Sequence, residues 1–243
     1  MTQARHRASF PVMGTTASVH VNDNISDGAF ADVVVELQNE LERLEQMFSV
    51  YRSDSAVSRI NSGDLNLLDA PREVLDVLDA CTWVEQVSDG AFSIRPPHSP
   101  ESINLSGFVK GWAAERASRL CGERGLRHWY IGVGGDFVLR GGLDESTPWT
   151  IGVTDPRDPD MLVGTAAVVD GAVATSGTAE RGAHIWHPIK GEVDAEFLSV
   201  TVTGPSLTWA DAFATTIFVM GAQGLQWLRQ FEGYDALVVP ISS

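Results

Sequence analysis

A carboxylate and a hydroxyl four residues apart at the start of an apolar helix share a face and can converge on one small cation. Asp211 and Thr215 have that spacing in Thr208-Trp-Ala-Asp211-Ala-Phe-Ala-Thr215-Thr. Joined by a backbone carbonyl, they would supply the sparse oxygen set that magnesium uses when phosphate and water complete its shell. The plainer reading from spacing alone is structural: Asp211 favours a helix N-terminus and Thr215 bonds back to the preceding turn. Lys110 follows Asn104-Leu-Ser106-Gly107-Phe-Val at the opening of another apolar helix, where accessible amides suit a phosphate. Taken alone, a solvated Lys110 and Ser106 as an N-cap are the simpler expectation. Thr175-Ser176-Gly177 and His184-Ile185-Trp-His187-Pro are equally ambiguous, since small residues make turns and a strand histidine commonly satisfies structure.

Common enzyme signatures are absent: there is no Gly-x-Ser-x-Gly elbow, His-Glu-x-x-His, Cys-x-x-Cys or phosphate loop ending in Gly-Lys-Ser/Thr. Gly132, Gly134 and Gly135 suggest a dinucleotide fingerprint, but the third glycine is misplaced and residues 137–140 read as a strand where that motif needs a helix.

The elements that must position these residues are legible in outline. Residues 9–21 read as one half-buried strand. Phe30, Val33, Val34, Leu37, Leu41, Leu44 and Met47 recur at helical spacing behind Ser26, a natural N-cap. A polar stretch over 49–63 precedes a helix from about Pro71, with Val74, Leu75, Leu78, Cys81 and Val84 on one side. Gly90, Pro96, Pro97 and Pro100 make 88–106 a long loop, of a length that in compact domains is often functional. It leads into a helix with Val109, Trp112, Ala113, Ala117 and Leu120 apolar. Strands follow at 128–133, 137–140, 149–154, 162–169 and 198–203, helices at 209–220 and 222–231, and a last strand at 236–241. Without strict βα alternation, the class expected is α+β.

Composition narrows the function. With 17 Lys and Arg against 32 Asp and Glu, the formal charge of −15 on 243 residues excludes a nonspecific nucleic-acid binder held by phosphate contacts. At 44% hydrophobic and 20% charged residues the chain is globular, not disordered. No hydrophobic signal region or membrane-length apolar run is visible, and Cys81 and Cys121 fall on apolar helix faces, as buried free thiols would; a cytoplasmic location is expected.

In order along the chain stand Met13-Gly-Thr15, Ser49-Val-Tyr51 with Ser55, Ser58 and Asn61, Asp89-Gly-Ala91-Phe92, and the stretch 105–111. Gly134-Gly-Asp136, Thr175-Ser-Gly177, the stretch 184–191 and Ala210-Asp-Ala-Phe-Ala-Thr215 follow. These eight weak motifs together resemble the FAD:protein FMN transferase (ApbE) family over nearly the whole length. The resemblance implies one domain over residues 1–243, a compact α+β fold with its site in a cleft between two lobes, and a magnesium-dependent reaction. In that reaction FAD is cleaved, FMN passes to a Ser or Thr hydroxyl of a target protein, and AMP is released. It further implies Asp211, Thr215 and the Gly107 carbonyl as metal ligands and His184 as the proton acceptor. Met13, Tyr51, Ala91, Phe92, Ser93, Asn104, Lys110, Ser176 and Ile185 would contact FAD.

Three departures stand out: Asn104, Ser93 and His187 occupy positions where the family usually has Asp. Their loss removes hydrogen-bond acceptors that could orient the ligand. An FAD pyrophosphatase giving FMN and AMP, and a noncatalytic FAD-binding module, are the alternatives.

Overall fold

The computed structural model describes residues 6–177, 186–187 and 191–241. In chain order its elements are β1 (His6–Val12), β2 (Thr15–Val21), α1 (Asp27–Phe48), α2 (Ala56–Ser62), a short 3-10 turn (Leu67–Asp69), α3 (Arg72–Val87) and α4 (Ser106–Glu123). They continue as β3 (Trp129–Val133), β4 (Asp136–Arg140), β5 (Trp149–Asp155), β6 (Asp158–Val168), β7 (Gly171–Gly177), β8 (Phe197–Gly204), α5 (Leu207–Met220), α6 (Ala222–Leu228) and β9 (Asp235–Pro240). Among the described residues, seven strands form one antiparallel sheet, ordered β1-β2-β3-β4-β7-β8-β9, and β5 and β6 pair as a separate two-stranded ribbon. The class is α+β, as the order of elements predicts.

Strand alternation decides which side chain meets which layer. Val138, Ala174, Val200 and Val202 join Leu37, Leu41, Phe108 and Phe213 in the main core beneath α1, α4 and α5. Their neighbours Leu139 and Val173 point to the opposite face, where Trp149, Ile151, Ala166 and Val168 of the β5–β6 ribbon cover them. Cys81 and Cys121 are both free and buried, and burial pushes the Cys121 thiol up to about 12. No helix among the described residues is long and apolar enough to cross a membrane.

The structure departs from the sequence expectation at four places. Residues 9–21 are not one strand but parts of two, because Met13 (φ 51°) and Gly14 (φ 69°) form a tight left-handed turn that reverses the chain. A strand at 171–177 was not anticipated: its small residues carry little β propensity, and pairing on both sides supplies what local preference lacks. Within the polar stretch, Ser55 caps a short helix, its hydroxyl accepting from the Ser58 amide at 2.9 Å. Ser106 does not cap α4; it is the first helical residue, and its amide donates to Asn104 Oδ1 at 3.0 Å.

The α1 cap is as expected, Ser26 Oγ accepting from the Ala29 amide at 3.2 Å. Ser26→Ala should therefore cost about 1 kcal/mol, lowering the melting temperature of a chain this size by about 2–4 °C in calorimetry.

Candidate functional site

Helices α4 and α5 cross in close contact because glycines face the two oxygen-bearing side chains. A Cβ on Gly107 would lie 3.8 Å from Thr215 Cγ2, and one on Gly111 would lie 2.7 Å from Asp211 Cβ and 2.8 Å from the Leu207 carbonyl. One turn along α4 thus matches one turn back along α5, so the helices run antiparallel here. Asp211 and Thr215 are 2% and 7% exposed.

The partners of these residues replace the structural reading that spacing alone favours. Thr215 Oγ1 does not bond back to its own helix; it meets Ser176 Oγ of β7 at 3.0 Å, while Thr216 makes the back-bond, to the Ala212 carbonyl at 2.7 Å. Asp211 does not serve the N-terminus of α5 either. That role falls to Glu115 of α4, whose Oε2 accepts from Ser206 Oγ, the Thr208 amide and Thr208 Oγ1 at 2.7, 2.8 and 2.6 Å. Asp211 Oδ2 instead accepts the Gly111 amide at 2.8 Å. That amide is the one whose ordinary helical acceptor is the Gly107 carbonyl, so the carboxylate competes for its proton. The Gly107 carbonyl therefore keeps lone-pair capacity on the turn of α4 that packs against Thr215.

One carboxylate, one hydroxyl and one carbonyl on facing helices fit a hard cation that retains water or phosphate ligands. Among the described residues no three His, Cys, Asp or Glu side chains gather elsewhere to hold a metal.

The loop before α4 supplies the outer wall. Ala91, Phe92, Ser93, Asn104, Gly107, Trp186, Thr215 and Val219 line one small cavity. Phe92 is buried, with Cε2 3.7 Å from the Cβ position of Gly107, and its amide donates to Ser88 Oγ at 3.1 Å. The loop is pinned at its far end by Asn61, whose side chain pairs with both the amide and the carbonyl of Ile103 at 2.8 and 2.9 Å. Ser55 Oγ and Ser58 Oγ both donate to the Ser49 carbonyl at 2.6 and 3.3 Å. The serines and asparagine of that motif thus hold backbone in place, while the ring of Tyr51 is left 92% exposed.

Along the full length, the ApbE family model matches residues 13–97 and 93–238. The chain belongs to the ApbE family. Among relatives of this family, the FAD:protein FMN transferase of Escherichia coli K12 is 23% identical, over 86% of this chain and 77% of its own. That of Treponema pallidum is 27% identical, over 70% and 54%. In structure, ApbE of Thermotoga maritima superposes with a TM-score of 0.84 at 21% identity, covering 98% of this chain and 94% of its own. The flavin transferase ApbE of Vibrio cholerae gives 0.80 at 21%, covering 97% and 98%.

One further expectation changes in this ApbE chain's geometry. Lys110 is neither fully solvated nor held for a phosphate alone: Nζ lies 2.8 Å from Asp136 Oδ2, whose side chain is 1% exposed. Asp136 Oδ1 also accepts the Thr175 amide at 2.9 Å, tying α4 to β4 and β7. In the sequence, an acidic residue after paired glycines gives no signal of its distant partner. Met13 sits in the β1–β2 turn, its amide donating to Glu45 Oε2 at 2.9 Å. The neighbouring Thr15 reaches the Lys110 end through Gly134, whose Cβ position is 3.1 Å from Thr15 Oγ1 and 3.6 Å from Lys110 Cδ.

Asn104 Oδ1 is occupied by the Ser106 amide and Ser93 Oγ by the Arg95 amide at 3.1 Å. His184 and Ile185 lie outside the described residues. Beyond them, the Gly191 amide closes on the His187 carbonyl at 2.9 Å.

Proposed function

We propose that this chain is an FAD:protein FMN transferase: with magnesium it cleaves FAD, joins FMN to a Ser or Thr hydroxyl of a target protein and releases AMP. The observation that carries the reading is the meeting of Asp211, Thr215 and Gly107 across α4 and α5 in an ApbE-family chain. Helical spacing puts Asp211 and Thr215 on one face, and the packing of Gly107 and Gly111 against them supports the reading.

Asp211, Thr215 and the Gly107 carbonyl would hold the metal, which when bound offsets negative charge that develops on the pyrophosphate. Gly111 orients Asp211, and Ser176 fixes the rotamer of Thr215, so neither needs to reorganise as the reaction proceeds. Phe92, Ala91, Ser93 and Asn104 would seat the flavin-bearing half, with Met13, Tyr51, Lys110, Ser176 and Ile185 as further contacts. Asp136 holds the Lys110 ammonium in a fixed direction.

The target hydroxyl oxygen attacks the FMN phosphorus, the bond from that phosphorus to the bridging oxygen breaks, and AMP departs with the bridging oxygen. His184 takes the hydroxyl proton, since an imidazole titrates near neutrality. His184→Ala should slow single-turnover transfer on the order of 10²-fold while FAD binding is retained; an unchanged rate would remove the role. The whole chain acts as one domain, and its two unpaired buried thiols fit a reducing cytoplasm.

The test is mass spectrometry of a Ser/Thr acceptor peptide, shown to be labelled by another transferase, incubated with the protein, FAD and magnesium while AMP is followed. A mass gain equal to FMN with equimolar AMP is expected. AMP and free FMN without labelling would make the protein a pyrophosphatase, and bound FAD without AMP a binding module.

A further inference from the structure

Nothing in the motif pattern singles out Trp186, yet it lines the same small cavity as Phe92, Asn104, Gly107 and Thr215. Its Nε1 is buried and, among the described residues, has no hydrogen-bond partner. An indole nitrogen is a donor only, and a buried donor without a partner is destabilising unless something else satisfies it. The position is not slack: the next residue, His187, closes a ring through its carbonyl with the Gly191 amide at 2.9 Å and forms an antiparallel bridge with it.

Asn104 adds a second donor in the same lining. Its Oδ1 accepts the Ser106 amide at 3.0 Å, and its Nδ2 amide is a donor that an aspartate would lack. The cavity therefore offers neutral donors where an aspartate would offer an acceptor, and none of its lining residues is a cation. A ligand group that satisfies these two donors presents oxygen acceptors to them.

We infer that Trp186 is a ligand-binding residue whose indole N–H donates to an oxygen acceptor of the bound dinucleotide, either a ring carbonyl of the flavin or a phosphate oxygen. The inference rests on the FAD reading given above and adds a residue to that site. It explains a buried donor kept unpaired in the protein without ligand: the hydrogen bond is completed only on binding.

The experiment compares wild type with Trp186→Phe, which keeps an aromatic ring and deletes the N–H. FAD, riboflavin and AMP are each titrated by calorimetry with magnesium and no acceptor protein, and melting temperatures are taken without ligand. Trp186→Phe should bind FAD about 3- to 10-fold more weakly, the loss of one neutral hydrogen bond. Its melting temperature without ligand should equal or exceed that of wild type, because an unsatisfied donor has been removed. Weakened riboflavin binding would assign the acceptor to the flavin ring; weakened AMP or FAD binding with riboflavin unchanged would assign it to a phosphate. Equal FAD affinity in the two proteins, or a melting temperature several degrees lower, would overturn the inference while leaving the transferase reading intact. Failure of wild type to bind FAD would overturn both.

Discussion

Asp211→Asn should leave the protein folded and reduce FMN transfer by about 10⁴-fold, the rate equivalent of the several kcal/mol that a bound metal contributes to a displacement at phosphorus. The substitution separates two roles of one side chain. Asn retains an oxygen that can accept the Gly111 amide, now 2.8 Å from Oδ2, so the α4–α5 contact survives. What it loses is the charge on which the proposed cation site depends. The expected result is a melting temperature within a few degrees of wild type, magnesium dependence shifted to much higher concentration or lost, and AMP release reduced in parallel with peptide labelling. Asp211→Asn transferring at the wild-type rate at the same magnesium concentration would sink the assignment of this carboxylate to the metal. Asp211→Ala deletes the acceptor as well and should show the same loss of transfer with a larger drop in stability.

The second large effect is on packing. Gly111→Ala would place a methyl 2.7 Å from Asp211 Cβ, 2.8 Å from the Leu207 carbonyl and 2.9 Å from Asp211 Oδ2. The first two are a Cβ and a backbone carbonyl, which no side-chain rotation can move aside, so α4 and α5 must separate. The expected cost is about 3 kcal/mol, or a melting temperature lower by about 6–12 °C for a chain of this size. Because the displaced groups are the candidate metal ligands, transfer should fall together with stability. Gly122→Ala on the same helix is the control: a Cβ there meets nothing within 4 Å, so it should stabilise by up to about 1 kcal/mol through helix propensity. If the two alanines behave alike in calorimetry, close approach of the helices at Gly111 is not what the glycine serves.

The residues of the site divide by how far apart their partners lie in sequence. Asp211 and Thr215 are four apart, and helical periodicity alone placed them on one face, as it placed Val74, Cys81 and Val84 together on α3. The α1 cap at Ser26, the loop between α3 and α4 and the α+β class were legible for the same reason: each depends on signals within a few residues. The hairpin at Met13–Gly14 was missed although it is local, because Met at positive φ carries none of the usual turn chemistry. The strand over 171–177 was missed because its residues prefer no structure strongly until β4 and β8 flank it.

What Asp211 and Thr215 do lay beyond periodicity. Their partners, Gly111 and Ser176, are 100 and 39 residues away, and Lys110 of α4 finds Asp136 at the start of β4, beyond β3. Composition, element class and the shared helix face followed from the sequence by itself, since charge and hydrophobic period are properties of neighbouring residues. Only tertiary structure decided that the carboxylate meets a glycine amide, that the threonine meets a serine and that Trp186 keeps an unpaired donor beside them. Those facts depend on which surfaces the core brings together, and burial makes each such meeting strong: with water excluded, a polar group must find its partner across the fold or in a ligand.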